Sequence, residues 1–579
     1  MKHKAVDTVS LVWGLLPVKS RRQAKLLVVM MAVATILETI GLGMIIPFLG
    51  SLVASNSSEI ASGGMLGNLN VFFAQFSLGE ITLGLLVLFT FKNIYLAIQT
   101  YFQSKFIFTL EAHLSIRLLR LYLEKPYSFF LNHNSAQLIR NIIGEVGSFC
   151  HYAVAPLCIL ISEILIGVGI LCVLIAVNPL GAILMVGLLG FIGYLFHARV
   201  RRLILKWGEE RQYHEGMRQQ KLQECFGVLK EIKIAGLQKQ FSAAYAKHAH
   251  GSCNAGKRNQ TLQSVPRLFL EVMAVFVLVL VVLFAGATET ASVIPIIGLY
   301  AAAAFRLMPS ANRIMNGLQA IRYSYPSITL LSELFASGNS SDVQAIRRPL
   351  PFRQNICLSN VDFCYADSQK PVLRSVNLQI NKGEIICISG PSGAGKSTLI
   401  DILCGLLPPS SGTVLVDGIG IDDNEESWQK YISYVPQTIF LVDGTIKENI
   451  TLGEEEALID SERLRDVVRI CGLEEMVNSH PENLDIDVGE RGAKISGGQK
   501  QRIGLARAIY RAKEVLVLDE ATNALDAHIE NEVISNIGQL KDKMTVIWIT
   551  HGTTPLKYAD KLITVKNNTT SMQEIKREK

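Results

Sequence analysis

Residues 390–397 read Gly-Pro-Ser-Gly-Ala-Gly-Lys-Ser and follow the apolar run 385–388. This spacing, G-x-x-x-x-G-K-[ST] between a strand and a helix, is that of a phosphate-binding loop. The glycines let backbone N–H groups converge on phosphate oxygens at a helix N-terminus, Lys396 adds a cation, and the hydroxyl of Ser397 can ligate Mg²⁺. Strands and helices alternate around the loop, which predicts an α/β domain with a largely parallel sheet.

A second motif lies at 515–520, where the apolar run Val-Leu-Val-Leu ends in Asp-Glu. A strand of this kind brings both acids to the carboxyl edge of the sheet, beside the phosphate-binding loop. Adjacent strand residues point to opposite faces, so we expect the two acids to have separate tasks. Asp519 suits the coordination shell of Mg²⁺, and Glu520 suits the polarisation of an attacking water.

The stretch from roughly 355 to 565 resembles the ATPase domain of ABC transporters. Residues 495–499, Ile-Ser-Gly-Gly-Gln, match the signature of that family with Ile in place of the usual Leu. Small residues at the start of a helix leave its N–H groups available to an anion. The resemblance implies that this signature caps the nucleotide of a partner subunit, so that a homodimer with shared sites binds ATP and Mg²⁺.

Further positions match the family individually. Tyr365 falls where an aromatic ring stacks on adenine, with an ordinary strand-end tyrosine as the alternative, and His551 falls at the switch that faces the γ-phosphate. Asn523 stands where the family usually has Ser. The resemblance assigns catalysis to Glu520, His551, Gln437 and Lys396, Mg²⁺ binding to Ser397, Gln437 and Asp519, and nucleotide binding to Tyr365, Gly390, Ser392, Gly393, Gly395, Lys396, Ser397, Thr398, Ser496, Gly497, Gly498 and Gln499.

The first half of the 579-residue chain has a different composition. The whole chain has only 18% charged residues and a positive mean hydropathy. Apolar runs of about 20 residues, the length that a bilayer core demands, predict six spanning helices. The first begins near Leu26 and is long enough to be a retained helix rather than a cleaved signal. The six runs lie near 26–53, 81–103, 152–177, 180–204, 267–287 and 294–318.

Basic residues set the orientation of these spans. Residues 54–80 and 286–295 contain no Lys or Arg, whereas bases cluster before the first span and after the fourth. The positive-inside rule therefore places both termini in the cytoplasm of a multi-pass protein, which we assign to the bacterial inner membrane. The two long cytoplasmic connections, 104–150 and 205–266, have the pattern of amphipathic helices.

The predicted fold class is an all-α six-helix transmembrane domain joined to an α/β P-loop ATPase domain of the ABC type. A polar, proline-bearing stretch separates them and has the composition of a linker. The predicted domains are 1–336 for the transmembrane domain, 337–354 for the linker and 355–579 for the ATPase domain.

Two bulk properties narrow the class of protein. The formal charge of +6 is small for this length and argues against a nucleic-acid partner. The ten cysteines have no C-x-x-C spacing, and they fall outside the predicted external loops. This distribution predicts reduced thiols rather than a disulfide framework.

Four bases within or at the ends of the spans point to the cargo, because a charge in hydrocarbon needs a partner or a function. Lys92, Arg267, Arg306 and Arg313 could line a cavity that binds an anionic phosphate or pyrophosphate head group. Alternatively, they could pair internally with the acids of the spans, which are Glu38, Glu163 and Glu271.

The segment 305–313 and the Val-Pro-Arg at 265–267 are similar to bacterial lipid-linked oligosaccharide flippases. This shorter resemblance implies an ATP-driven exporter that hydrolyses ATP and flips a polyprenyl-pyrophosphate-linked oligosaccharide or a related anionic glycolipid to the outer leaflet. Export of peptides, drugs or another lipid is the alternative, and an ATP-gated channel or regulator is a further one.

Overall fold

The computed structural model describes residues 3–44, 76–177, 179–285, 294–338, 350–365, 370–422, 424–511, 513–523 and 525–575. The chain divides into two compact units. The helical unit comprises Met1–Lys125 and Phe130–Asp342, and the α/β unit comprises Pro126–Phe129 and Val343–Lys579.

Long helices dominate the first half. The described helices are α1 (His3–Leu15), α2 (Val18–Gly43), α3 (Leu78–Leu123), α4 (Tyr127–Leu131), α5 (Ser135–Arg140), α6 (Val146–Phe149), α7 (Ala155–Val177), α8 (Pro179–Gly227), α9 (Leu229–Ala235), α10 (Gln238–Ala285), α11 (Ile294–Tyr323) and α12 (Tyr325–Gly338). Two π-helical turns, Asn141–Glu145 and Cys150–Val154, link α5, α6 and α7 into one nearly continuous rod.

Each predicted span falls on one of six long helices, α2, α3, α7, α8, α10 and α11. Residues 45–53 of the first predicted span and residues 286–287 of the fifth lie outside the described residues. Among the residues described, three stretches are long and apolar enough to cross a membrane: Val18–Gly41, Gly79–Leu123 and Ser135–Ile175. The helical transmembrane domain predicted from the sequence is therefore confirmed.

The helices also extend well beyond the apolar runs, as the sequence predicts for the cytoplasmic connections. Helix α3 continues to Leu123, α8 continues to Gly227, and α10 begins at Gln238. Local chemistry sets the start of α3, because the Ser77 hydroxyl accepts from the backbone N–H of Glu80 while the Glu80 carboxylate accepts from the backbone N–H of Ser77. This capping box satisfies two of the helix's unpaired donors.

The second half contains ten strands and seven α-helices among its described residues. The strands are β1 (Asn355–Phe363), β2 (Leu373–Asn381), β3 (Ile385–Ser389), β4 (Ser411–Val416), β5 (Ile419–Gly420), β6 (Ile432–Val435), β7 (Val515–Asp519), β8 (Thr545–Ile549), β9 (Lys561–Lys566) and β10 (Thr569–Glu574). The helices are α13 (Lys396–Leu403), α14 (Glu425–Gln429), α15 (Ile446–Thr451), α16 (Ser461–Ile470), α17 (Glu474–Asn478), α18 (Gly497–Arg511) and α19 (Ala527–Gly538).

The strands form two sheets. The larger has the order β10-β9-β3-β8-β7-β6 and is parallel from β9 to β6, with β10 antiparallel at its edge. Every residue of β7 and β8 is buried, as expected of central parallel strands covered on both faces. The α/β fold and its largely parallel sheet are confirmed.

The smaller sheet is antiparallel, with the order β2-β1-β4-β5. This second sheet was not distinguished from the parallel sheet in the prediction from the sequence. The feature that could have revealed it is the alternation along β1. Ile356, Leu358, Val361 and Phe363 are buried and the residues between them are less buried, which is typical of a sheet packed on one face.

Four strands of the larger sheet, β3, β6, β7 and β8, are parallel, so their carboxyl ends lie along the same side of the sheet. The phosphate-binding loop follows β3, and Gln437 follows β6. Asp519 ends β7 and Glu520 comes directly after it, while His551 follows β8. The topology thus gathers four motifs that are far apart in the sequence.

Candidate functional site

The phosphate-binding loop turns sharply between β3 and α13. Gly390 and Gly395 have φ of +155° and +101°. A Cβ on Gly390 would lie 2.3 Å from the carbonyl oxygen of Val565, so only glycine fits there. The buried Lys396 donates from Nζ to the carbonyl oxygens of Gly390 at 3.0 Å and Pro391 at 3.1 Å. The ammonium therefore lies across the loop, with the exposed Ser392 and Gly393 at its rim.

Helix α13 begins directly at Lys396, with Gly395 as its N-cap. Its first turn carries Thr398, whose hydroxyl lies 3.0 Å from the Tyr365 hydroxyl. The Tyr365 ring packs edge-on against Phe363, with ring centroids 5.0 Å apart, and stays 38% exposed. An exposed aromatic face beside the helix that follows the phosphate-binding loop is suited to stacking a nucleobase.

Asp519 lies buried at the end of β7. Burial, together with the charge of Glu520, raises the pKa of the Asp519 carboxyl, while hydrogen bonds from Ser397 and Tyr434 oppose that rise. The Tyr434 hydroxyl lies 3.4 Å from Oδ2 of Asp519. Burial and the charge of Asp519 also raise the pKa of Asp401 to about 6.

Tyr434 and Asp401 were not identified from the sequence. Asp401 could have been found, since it lies four residues after Ser397 on α13 and so shares its helix face. Tyr434 has no such local signal, because its contact with Asp519 depends on the pairing of β6 with β7.

The donor set at this edge fits Mg²⁺. A hydroxyl, a carboxylate and a side-chain amide oxygen, from Ser397, Asp519 and Gln437, are the hard oxygen ligands that this ion prefers. Ser397 is already hydrogen-bonded to Asp519. Gln437 contacts the neighbouring acid, since its Nε2 donates to Oε2 of Glu520 at 2.9 Å.

Glu520 has a left-handed backbone, with φ of +51°, which is uncommon for a residue with a side chain. Its N–H bonds to the carbonyl oxygen of Ile549 in β8 at 3.2 Å. Its carboxylate meets three side chains: Oε2 accepts from Gln437 and from Asn523 Nδ2 at 3.0 Å, and Oε1 lies 3.1 Å from Nε2 of His551. Strained backbone of this kind concentrates at functional sites.

The signature begins helix α18, as the sequence predicts. The Gln499 N–H donates to the Ser496 hydroxyl at 3.2 Å, and the Ser496 N–H donates to the Gln499 side-chain oxygen at 2.9 Å. This reciprocal cap starts a helix whose first two residues are Gly497 and Gly498. Without bulky side chains, that end of the helix can approach an anion closely.

Arg502 and Arg507 of α18 bond within the unit. Arg507 donates to the carbonyl oxygens of Asn449 at 2.8 Å and Phe440 at 3.0 Å, and Arg502 donates to the carbonyl oxygen of Gly472. These contacts fix α18 to α15 and to the segments around Phe440 and Gly472. The anion-binding capacity of this segment therefore rests on the backbone at its start.

In the helical unit, three of the four candidate bases lie beside the acids that the sequence offers as partners. Lys92 lies 3.4 Å from Glu38, Arg267 lies 2.8 Å from Glu271, and Arg313 lies 2.5 Å from Glu163. The side chain of Arg306 lies outside the described residues. These three bases are therefore paired with acids of the same chain. The side chain of Arg267 is also exposed.

Glu163, the ion-pair partner of Arg313, lines a cavity of about 450 Å³ between α7, α8 and α11. Ser310 also reaches Glu163, donating to Oε2 at 2.5 Å. The remaining lining is apolar or small and comprises Ile164, Gly167, Val168, Leu171, Gly190, Gly193, Tyr194, Leu307, Ala311, Ile314, Met315 and Leu318. A few polar groups at the side of an apolar cavity are suited to an amphipathic ligand.

Comparisons with known proteins agree with this arrangement. Residues 373–523 match the family model for ABC transporter. An ATP-dependent lipid A-core flippase of Ralstonia nicotianae is 26% identical over 81% of this chain and 79% of its own length. An uncharacterized ABC transporter ATP-binding protein of Bacillus subtilis, YwjA, is 39% identical over 40% of this chain and 39% of its own length.

The fold is similar to that of a solved bacterial Atm1-family ABC exporter with ATP bound, with a TM-score of 0.78 over 95% of this chain and 94% of that one. Sequence identity is 20%, so this likeness concerns the fold alone.

Proposed function

We propose that this chain, whose second half is an ATPase domain of the ABC transporter family, forms a homodimeric ATP-driven exporter that flips an anionic glycolipid to the outer leaflet. The cargo would be a polyprenyl-pyrophosphate-linked oligosaccharide or a related lipid. The exporter would lie in the bacterial inner membrane with both termini in the cytoplasm.

The proposal that this chain hydrolyses ATP is supported by the contacts of Glu520. Gln437, Asn523 and His551 fix its carboxylate beside the phosphate-binding loop, where it can accept a proton from an attacking water. Tyr365 would stack on adenine, and the loop with Lys396 would hold the phosphates. Mg²⁺ held by Ser397, Asp519 and Gln437 would neutralise charge that develops on the phosphates.

The signature segment supports a dimer. Its glycine-rich helix start provides an anion site in addition to the phosphate-binding loop. If the start of α18 completes the site of a second copy, ATP joins the two ATPase domains and hydrolysis releases them. The long helices would carry this motion to the transmembrane domain.

Mixed dimers test the shared site. Lys396→Ala disables the phosphate-binding loop of one copy, and Gly498→Asp places a negative charge in the signature of another. Neither variant should hydrolyse ATP alone. A dimer of the two keeps one intact loop facing one intact signature, so co-purified mixed dimers should regain up to half of the wild-type rate. No recovery in confirmed mixed dimers would contradict the shared site.

The lipid cargo rests on the cavity between α7, α8 and α11. Its apolar lining suits a hydrocarbon chain, and one of its lining residues, Glu163, is paired with Arg313. A phosphate or pyrophosphate offers the same oxygen acceptors as the Glu163 carboxylate and can replace it on the guanidinium. The similarity to a protein named lipid A-core flippase also favours a lipid.

An exporter of peptides, drugs or another lipid is the second candidate. The pairing of Lys92, Arg267 and Arg313 with acids favours it, because compensated bases attract anions less strongly. The two candidates differ in whether an anionic lipid stimulates ATP hydrolysis.

A further inference from the structure

The side chain of Asn523 contacts the proposed base directly. Its amide Nδ2 donates to Oε2 of Glu520 at 3.0 Å. Asn523 lies three residues after Glu520 in a tight turn, whose backbone is closed separately by the Asn523 N–H and the Glu520 carbonyl oxygen at 3.4 Å. The amide contact is therefore additional to the bond that shapes the turn.

The three partners of Glu520 divide its two oxygens unequally. Oε2 accepts from both Asn523 and Gln437, whereas Oε1 has His551 as its contact among the residues that the structure describes. A carboxylate has about four lone-pair sites. Two amide donors on Oε2 fix the rotation of the carboxylate. The lone pair that is left to accept a further proton is therefore on Oε1, the oxygen that faces His551.

Asn523 and Gln437 come from different elements. Gln437 follows β6 and Asn523 follows β7, so each fixes Glu520 from its own direction. Asparagine brings an amide N–H to this position, whereas the serine usual in the resembling family has a shorter side chain with a single hydroxyl.

We infer that Asn523 is a positioning residue for hydrolysis, whose side-chain amide holds the Glu520 carboxylate in the orientation that accepts a proton from water. This inference rests on the proposed role of Glu520 as the base. In this role Asn523 does not contact the nucleotide. Its replacement should therefore change the turnover rate and not the affinity for ATP.

Steady-state hydrolysis by the full-length dimer in nanodiscs tests this assignment. Asn523→Ala should lower kcat about three- to tenfold, since one of three hydrogen bonds to a charged acceptor is lost. KM for ATP should stay within about twofold, because the affinity for nucleotide does not depend on this bond. Asn523→Asp keeps the shape but replaces the donor by a second carboxylate, so kcat should fall further than with alanine.

Asn531→Ala is the matched control. Asn531 is a nearby exposed asparagine of α19, whose Nδ2 bonds to the carbonyl oxygen of Ala527 at 2.8 Å. The control should retain the wild-type kcat, and thermal unfolding should show that all variants are folded. An unchanged kcat in Asn523→Ala, or a raised KM with an unchanged kcat, would overturn the inference.

Two further measurements separate this inference from its premises. The single variant Glu520→Gln and the double variant Glu520→Gln with Asn523→Ala should retain bound ATP equally. If the double variant lost its ATP, Asn523 would act at the dimer contact, and the positioning role would be overturned. If Glu520→Gln itself hydrolysed ATP at the wild-type rate, the assignment of the base would fail first.

Discussion

Arg313 of α11 and Glu163 of α7 form an ion pair, with Nε of the arginine 2.5 Å from Oε1 of the glutamate. The glutamate side chain is 8% exposed, whereas that of the arginine is 42% exposed. The acid is thus the buried member of the pair, and the base is the member that an incoming ligand can reach. This asymmetry makes Arg313 the informative residue for cargo.

Replacement of Arg306 and Arg313 together by alanine should spare basal ATP hydrolysis, because neither residue belongs to the ATPase domain. Translocation of an anionic lipid should fall about ten- to a hundredfold, as expected when charge-assisted hydrogen bonds are lost. Both rates can be measured in one proteoliposome preparation. Arg258→Ala removes an exposed base that lies before the predicted fifth span and should change neither rate. Transport retained by the double variant would contradict an anion-binding cavity.

Glu520→Gln should abolish turnover while ATP still binds. The amide keeps the shape of the side chain but cannot take a proton, so the rate should fall by about 10²- to 10⁴-fold. Hydrolysis and binding of radiolabelled ATP give the two values. A variant that hydrolyses ATP at the wild-type rate would show that another group is the base.

His551→Ala removes the partner of Oε1 of Glu520. We expect a loss of about tenfold or more in kcat, since His551 is also the residue assigned to the γ-phosphate. His480→Ala changes an exposed histidine of the same unit and serves as the control. Equal rates for the two variants would remove His551 from the site.

A histidine pair should make the stability of the helical unit depend on pH. Nδ1 of His214 lies 3.1 Å from Nδ1 of His248, which requires a proton on only one of the two nitrogens. Burial, with the charges of His214, Lys247 and Lys221, lowers the pKa of His248 below its usual 6.5. As pH falls through about 6.5, the unfolded chain therefore takes up a proton first and the folded state loses stability.

The unfolding temperature measured at pH 7.5 and at pH 5.5 tests this sign. The decrease between the two values should be smaller for His248→Gln than for the wild type, and His250→Gln, an exposed neighbour on α10, should behave like the wild type. A decrease of equal size in all three proteins would show that His248 does not titrate on unfolding.

The ATPase half was largely predictable because its chemistry is local in sequence. The loop at 390–397 and the acids at 519–520 each combine an apolar strand with fixed spacing, and the strand ends meet through the rule for parallel sheets. The spacing of residues in the sequence could not predict the contacts between side chains on neighbouring strands. Tyr434 reaches Asp519 only through the pairing of β6 with β7.

The helical half was predictable as helices but less so as a site. Apolar runs fix the length of a span, whereas side-chain pairing depends on how the spans pack. Lys92 meets Glu38 across 54 positions of sequence, and Arg313 meets Glu163 between α11 and α7. The sequence offered these partners as an alternative to an open anion-binding cavity but gave no means of choosing between the two.

The most direct test of a lipid exporter is ATP-dependent translocation by the purified wild-type protein in proteoliposomes, with a fluorescent polyprenyl-pyrophosphate-linked oligosaccharide as cargo and Glu520→Gln as the inactive control. We expect the cargo to cross only with ATP and only in the wild type, and to stimulate hydrolysis. Active hydrolysis without translocation or stimulation would contradict this cargo and favour a peptide, a drug or another lipid.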